Sequence, residues 1–206
     1  MFLTLFNENI LMNRKELVDL TVAYLTISAA FAIVLDRGFF TAGSISGGFA
    51  LALFVSFLAV GTGFILHELA HRQVAKHFGA HAEFRAWPFG LIIAIAVPII
   101  TLGNFLFAAP GAVYIYGENI DRRQNGLISV AGPATNIAAG LFFGFLSFVS
   151  ANPFVVAIAY PAMFINFWLA FFNLIPVPPL DGSKVFAWNP IIWIALFIPL
   201  ILFIFI

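Results

Sequence analysis

His67 and His71 stand four residues apart in the segment HELAH, a spacing that on a helix projects both imidazoles from one face and lets them share a metal ion. Glu68 lies beside the first of them, where a carboxylate reaches metal-bound water without itself ligating the ion. A zinc site that performs hydrolysis needs three protein ligands and an open position for water, so a third ligand must come from elsewhere. The chain contains no cysteine, and any metal is therefore held by nitrogen and oxygen. His77 and His81 follow HELAH closely, but neither returns to the same face, and both read as interfacial. Asp181 is the better third ligand. It lies in NLIPVPPLDG, where three prolines force extended backbone at the end of an apolar segment and leave polar groups that only a protein-lined, wet cavity satisfies. The competing reading of HELAH is a helix surfacing among lipid headgroups. Ionisable groups at the end of a long apolar stretch are costly to bury without a function, which favours a site.

The elements that carry these residues are those of a membrane protein. Of 206 residues, 63% are hydrophobic and 9% charged, against about 25% charged in an average soluble domain. The net charge is zero and like charges form no run, so a nucleic-acid partner has no support. The N-terminus lacks the cleavage pattern of a signal peptide and is expected to be retained. Apolar segments long enough to cross a bilayer cover residues 17–35, 47–78, 126–149, 154–174 and 190–206. Asp36 and Arg37 close the first. HELAH falls at the end of the second, read as one helix stopped by Gly79. Residues 77–87 form a polar interval. Residues 89–109 are long enough to cross but are interrupted by Pro98, Gly103 and Asn104, and GAVYIYG after them has the composition of a short strand, followed by an aqueous stretch from Glu118 to Asn125. The expected architecture is a single all-α polytopic membrane domain over residues 1–206, with about five transmembrane helices, a re-entrant or interfacial apolar segment and a short β element.

Three separated motifs resemble the site-2 protease family of intramembrane zinc metalloproteases. They are HELAH, an AGPxxN segment at Ala131, Gly132, Pro133 and Asn136, and an N-x-x-P-x-P-x-x-D-G segment at Asn173, Pro176, Pro178, Asp181 and Gly182. The resemblance implies that His67, His71 and Asp181 bind one zinc ion and that Glu68 is the catalytic acid and base. It also implies that Asn173 lies near the scissile carbonyl, holding substrate or stabilising the oxyanion. The substrate implied is a membrane-anchored protein, cut in or near a transmembrane segment in regulated intramembrane proteolysis. The chain resembles a minimal, PDZ-less prokaryotic or archaeal-type member, which implies the plasma membrane of an archaeon or bacterium.

A shared metal constrains the topology. If residues 89–109 crossed fully, Asp181 would emerge on the face opposite HELAH; if they dip in and return, it comes back beside HELAH, so a break near Pro98 or Gly103 is expected. Charge agrees. With five spans, Arg14, Lys15, Arg72, Lys76, Arg85, Arg122, Arg123 and Lys184 share the HELAH side and Arg37 alone faces them, which by the positive-inside rule opens the site toward the cytoplasm. Gly132, Asn136, Gly140 and Gly144 form a small-residue stripe, expected to face Ala59 and Gly63 with Asn136 bonded near the site; generic helix packing is the alternative. GAVYIYG could bind an unwound substrate by edge pairing or pair only within the protein, and the first and last spans could form a lateral gate. An inactive membrane chaperone and a metal transporter are the rival functions; Glu68 argues against the first, and the lack of an internal repeat against the second.

Overall fold

The computed structural model describes residues 13–36, 47–116 and 120–206. The boundary at Arg37, the N-terminal residues 1–12 and the start of the aqueous stretch at Glu118 lie outside the described residues. Helix α1 (Arg14–Leu35) begins where the Asn13 side chain accepts the Glu16 N–H at 2.7 Å, satisfying one of the free donors of the first turn. Leu20, Ala23, Ile27, Ala30 and Phe31 face the core, while Leu17, Val18, Val22 and Leu25 are exposed, an apolar outer surface suited to lipid.

The second segment runs from α2 (Gly47–Val60) through a π-helical turn (Gly61–Ile65) into α3 (Leu66–His77). The sequence predicts one regular helix here, and the wide turn just before HELAH is the difference. The end is as expected: Gly79, at φ +72°, and Ala80 return their N–H groups to the carbonyls of Lys76 and Ala75, closing the helix in a left-handed cap.

Strand β1 (His81–Ala86) falls in the stretch expected to be a polar interval. It pairs antiparallel with β2 (Gly111–Tyr116), from His81 opposite Tyr116 to Ala86 opposite Gly111. Residues 111–116 of GAVYIYG thus pair within the protein through one edge. Between the strands, α4 (Pro88–Ile100) runs out and an irregular chain over residues 101–110 runs back. The Trp87 N–H bonds to the Pro110 carbonyl at 2.8 Å, so the two ends of this apolar segment are joined, the geometry of a segment that enters and comes back. Gly90 stands where they meet, and a Cβ there would lie 2.2 Å from the Ala109 carbonyl oxygen.

Helix α5 (Arg122–Val149) starts with a reciprocal cap between Asp121 and Gln124. Helix α6 (Pro153–Asn173) follows, then a short α7 (Asp181–Trp188) and α8 (Pro190–Phe205), capped by Asn189 with Pro190 in its first turn. By length and composition, Arg14–Leu35, Gly48–His77, Arg122–Val149 and Pro153–Asn173 can cross a membrane. Helix α8 is apolar throughout but has 16 residues, about 24 Å at 1.5 Å per residue, against a hydrocarbon core of about 30 Å.

Helix α5 is the spine of the molecule, packed against α6 along its length and carrying α3 and α7. The small-residue stripe on it divides. Gly132 faces His67 and His71, and Asn136 faces Gly63, but Gly140 and Gly144 face Phe167 and Met163 of α6. The lower half of the stripe therefore receives α6, where large side chains fill the hollows, and not the HELAH helix.

The joined ends make a direct prediction. Gly90→Ala forces a methyl group against the Ala109 carbonyl and is expected to destabilise the protein by about 1–3 kcal/mol, read as a lowered unfolding temperature in detergent together with faster proteolysis within residues 101–110.

Candidate metal centre

On α3, His67 and His71 project from one face into the flank of α5. Their rings pack edge to face with centroids 4.6 Å apart, and both are buried. His71 Nδ1 lies 2.7 Å from the Ile128 carbonyl oxygen, which can only accept, so this nitrogen carries the proton. His67 Nδ1 meets Asn136 Oδ1. The Asn136 amide nitrogen is committed to the Gly63 carbonyl at 3.1 Å, which turns the amide oxygen toward His67 and makes His67 Nδ1 the donor. Both imidazoles are thereby fixed as the tautomer whose Nε2 carries a lone pair.

These two Nε2 atoms lie 2.9 Å apart. Asp181 Oδ2 stands 3.3 Å from the first and 3.0 Å from the second. Asp181 reaches this point from the first residue of α7, which Val185 anchors in the core. Three electron-pair donors thus converge with no proton between them, and one ligand atom from each lies within 4.8 Å of the others. Zinc bonds of about 2.0–2.1 Å in a tetrahedron set ligand atoms roughly 3.3 Å apart, so the donor set fits such an ion in chemistry and in spacing. His67, His71 and Asp181 are the residues that could hold it.

Gly132 makes the approach of α3 to α5 possible. A Cβ at this position would lie 2.4 Å from His67 Nε2 and 2.5 Å from His71 Nε2, so any side chain here would occupy the place where the nitrogens converge.

Glu68 is next on the helix. It lines a cavity of about 20 Å³ with His67, Phe84, Gly111 and Asn173, room for one water molecule. Its Oε2 is buried and has no hydrogen-bond partner among the described residues. Asn173, the last residue of α6, shares this cavity while its amide donates to the Leu169 carbonyl at 3.0 Å. The structure therefore brings His67, His71, Asp181, Glu68 and Asn173 together. His77 and His81 are exposed at the far end of α3 and the start of β1. Sequence reasoning missed the hold of Ile128 on His71, which is made by a backbone atom and leaves no trace in side-chain identity. It missed Asn166 as well, a buried residue whose Oδ1 lies 3.5 Å from Asn136 Nδ2.

Fold and site together define a polytopic helical protein with a two-histidine, one-carboxylate group that could hold a metal ion. Comparison with known proteins narrows this class. The chain is 40% identical, over 191 residues and 92% of both chains, to a protein of Methanocaldococcus jannaschii provisionally named a zinc metalloprotease. It is 30% identical over 146 residues to Rip3 of Mycobacterium tuberculosis, provisionally named likewise, covering 68% of this chain and 30% of that one. It is 31% identical over 144 residues to YwhC of Bacillus subtilis, again provisionally a zinc metalloprotease, covering 59% of this chain and 63% of that one. No protein-family model and no solved structure matches it. The chain belongs to the site-2 protease family.

Two substitutions test the centre. Gly132→Ala is expected to abolish metal binding, and Asn136→Leu to weaken zinc affinity about 10- to 100-fold by releasing the His67 ring, both measured by chelator competition on the purified protein.

Proposed function

We propose that this chain is an intramembrane zinc metalloprotease that cleaves peptide bonds in or near the transmembrane segments of membrane-anchored proteins, in regulated intramembrane proteolysis. The observation that carries the reading is the convergence of His67 Nε2, His71 Nε2 and Asp181 Oδ2 beside a water-sized cavity lined by Glu68. The names of the relatives support zinc as the metal and hydrolysis of peptide bonds as the reaction, and the one cluster of three donors among the described residues supports one ion per chain. Residues 1–206 form one membrane-embedded domain in the plasma membrane of an archaeon or bacterium, with the site opening toward the cytoplasm; the one-sided distribution of Lys and Arg supports this orientation.

Zinc held by these three residues supplies Lewis acidity, lowering the pKa of water toward 7 and polarising the carbonyl under attack. The chain supplies the rest. Glu68 takes a proton from the attacking water and gives it to the leaving amine, a role supported by its buried, unpartnered carboxylate oxygen and by the water-sized cavity it shares with His67. Asn173 orients the substrate carbonyl or steadies the charge that develops on its oxygen. A substrate helix hides its carbonyls in its own hydrogen bonds and must unwind locally before it can be cut. The outer edge of β2 is suited to hold the unwound strand: no described residue pairs with it, and Gly111 at its start lines the Glu68 cavity.

The test is incubation of the purified protein with a single-span membrane substrate, with and without a zinc chelator, and mass spectrometry of the products. Cleavage within or beside the span that the chelator stops supports the function; intact substrate under zinc-replete conditions overturns it. Glu68→Gln is expected to lower cleavage at least about 1,000-fold while one zinc per chain remains, and Asp181→Ala to lose the zinc itself. Metal flux in proteoliposomes that persisted in Glu68→Gln would instead identify a transporter.

A further inference from the structure

Glu16, in the first turn of α1, takes no part in the reaction proposed above, yet it is among the most deeply buried charged side chains described. A carboxylate in that position must be satisfied on every side. Arg72, the residue after His71, sets one guanidinium nitrogen 3.1 and 3.2 Å from its two oxygens. On its other flank, Glu16 Oε1 accepts the Phe84 N–H of β1 at 3.3 Å. One turn later, Asp19 repeats the arrangement: Oδ2 accepts the Ala86 N–H at 3.3 Å and lies 3.9 Å from Arg85. The sheet register explains why these amides are free to be taken. Trp87 donates to Pro110 across the ladder, so along β1 the odd-numbered residues bond β2 and the N–H groups of Phe84 and Ala86 point outward. Two carboxylates of α1 therefore close the outer edge of β1, the edge that would otherwise compete for an extended peptide.

We propose that Glu16 is a positioning residue for substrate: it ties the HELAH helix, through Arg72, to the closed edge of the sheet, through Phe84, and so fixes the open edge of β2 at a set height beside Glu68. Phe84 transmits the hold. Its backbone is gripped by Glu16, its ring packs edge to face on Phe64 in the π turn with centroids 5.3 Å apart, and it lines the cavity shared by His67, Glu68 and Gly111. Glu16 and Glu68 also line one small cavity with Arg72, Phe84 and Val113, so the tether runs immediately behind the catalytic carboxylate. The inference rests on the proposed function and deepens it, by assigning the open edge its position and the closed edge its lock.

The test uses the full chain in nanodiscs, with hydrogen exchange at individual amides and steady-state cleavage of a single-span substrate. Glu16→Ala is expected to lose protection at the Phe84 amide, keep one zinc per chain, and raise KM about tenfold with kcat within about twofold. Glu16→Gln retains an oxygen for the Phe84 N–H and loses the charge facing Arg72; it is expected to keep the Phe84 protection and raise KM about twofold to fourfold. Should the alanine variant not fold, the glutamine variant decides on the same readouts. Unchanged KM, or unchanged exchange at Phe84 in Glu16→Ala, overturns the proposal. So does a loss of zinc and of protection throughout the chain, which would make Glu16 a residue of general stability. A wild-type chain that cleaves nothing sinks the proposed function instead, and the exchange at Phe84 still judges the tether, so the two failures are distinguishable.

Discussion

Two imidazole lone pairs and a carboxylate held about 3 Å from one another repel strongly in a medium of low dielectric, and the chain meets that repulsion by making the donors unable to turn away. The lock is made on the far side of each ring, at Nδ1. His71 Nδ1–H donates to a main-chain carbonyl of α5, and His67 Nδ1–H donates to an amide oxygen whose nitrogen is itself pinned by the carbonyl of Gly63. Removing either partner frees a ring to rotate about its side-chain bonds, and the convergent geometry is then no longer the one of lowest energy. Helix α5 thus does more than pack. It supplies the hollow at Gly132, the carbonyl at Ile128 and the amide at Asn136 within about two and a half turns, and this explains why so much of the fold is arranged along it.

The site is assembled from parts distant in the chain, and the intervening apolar segment is what allows them to meet. Residues 88–110 leave the two-stranded sheet and return to it, so the chain resumes at β2 close to where it left β1. Helices α5 and α6 then run out and back, and Asp181 follows directly at the foot of α6. The sheet is an ordering element at the same end of the molecule, built against α1 on one edge and open on the other. Its strands are short, and a free two-stranded ribbon is marginal in water; here the carboxylates of α1 and the flank of α3 supply what a third strand otherwise would.

Much of this was legible in the residues. The spacing of His67 and His71 fixes one face of a helix whatever the tertiary structure, and Pro176, Pro178 and Pro179 ahead of Asp181 rule out continuing α6 to that point. The return of residues 89–109 followed from requiring His67 and Asp181 on one side, an argument about crossings that needs no side-chain detail. What the sequence hid has a common physical origin. HAEFRA looks like a polar interval because its strand character comes from pairing with residues 25 to 35 positions away. Nothing in the sequence singles out Glu16 until Arg72 and Phe84 are folded against it. The small-residue stripe on α5 was visible as a surface for close approach, but nothing in the spacing of glycines says which helix approaches, and large side chains of α6 took half of it.

The π turn at Gly61–Ile65 has a further meaning. A wide turn accommodates one more residue than a regular one, and each added residue rotates everything after it by about 100°. Helix α2 ahead of it is almost wholly apolar and is set by packing, with Val55, Ala59 and Val60 buried and Leu51, Phe54 and Leu58 outward; α3 behind it is strongly two-faced, with His67 and His71 on its buried side. The wide turn acts as a phase shifter between the two, a fixed offset that lets the shaft present one face to its neighbours while the tip presents another to the ligand-bearing flank of α5.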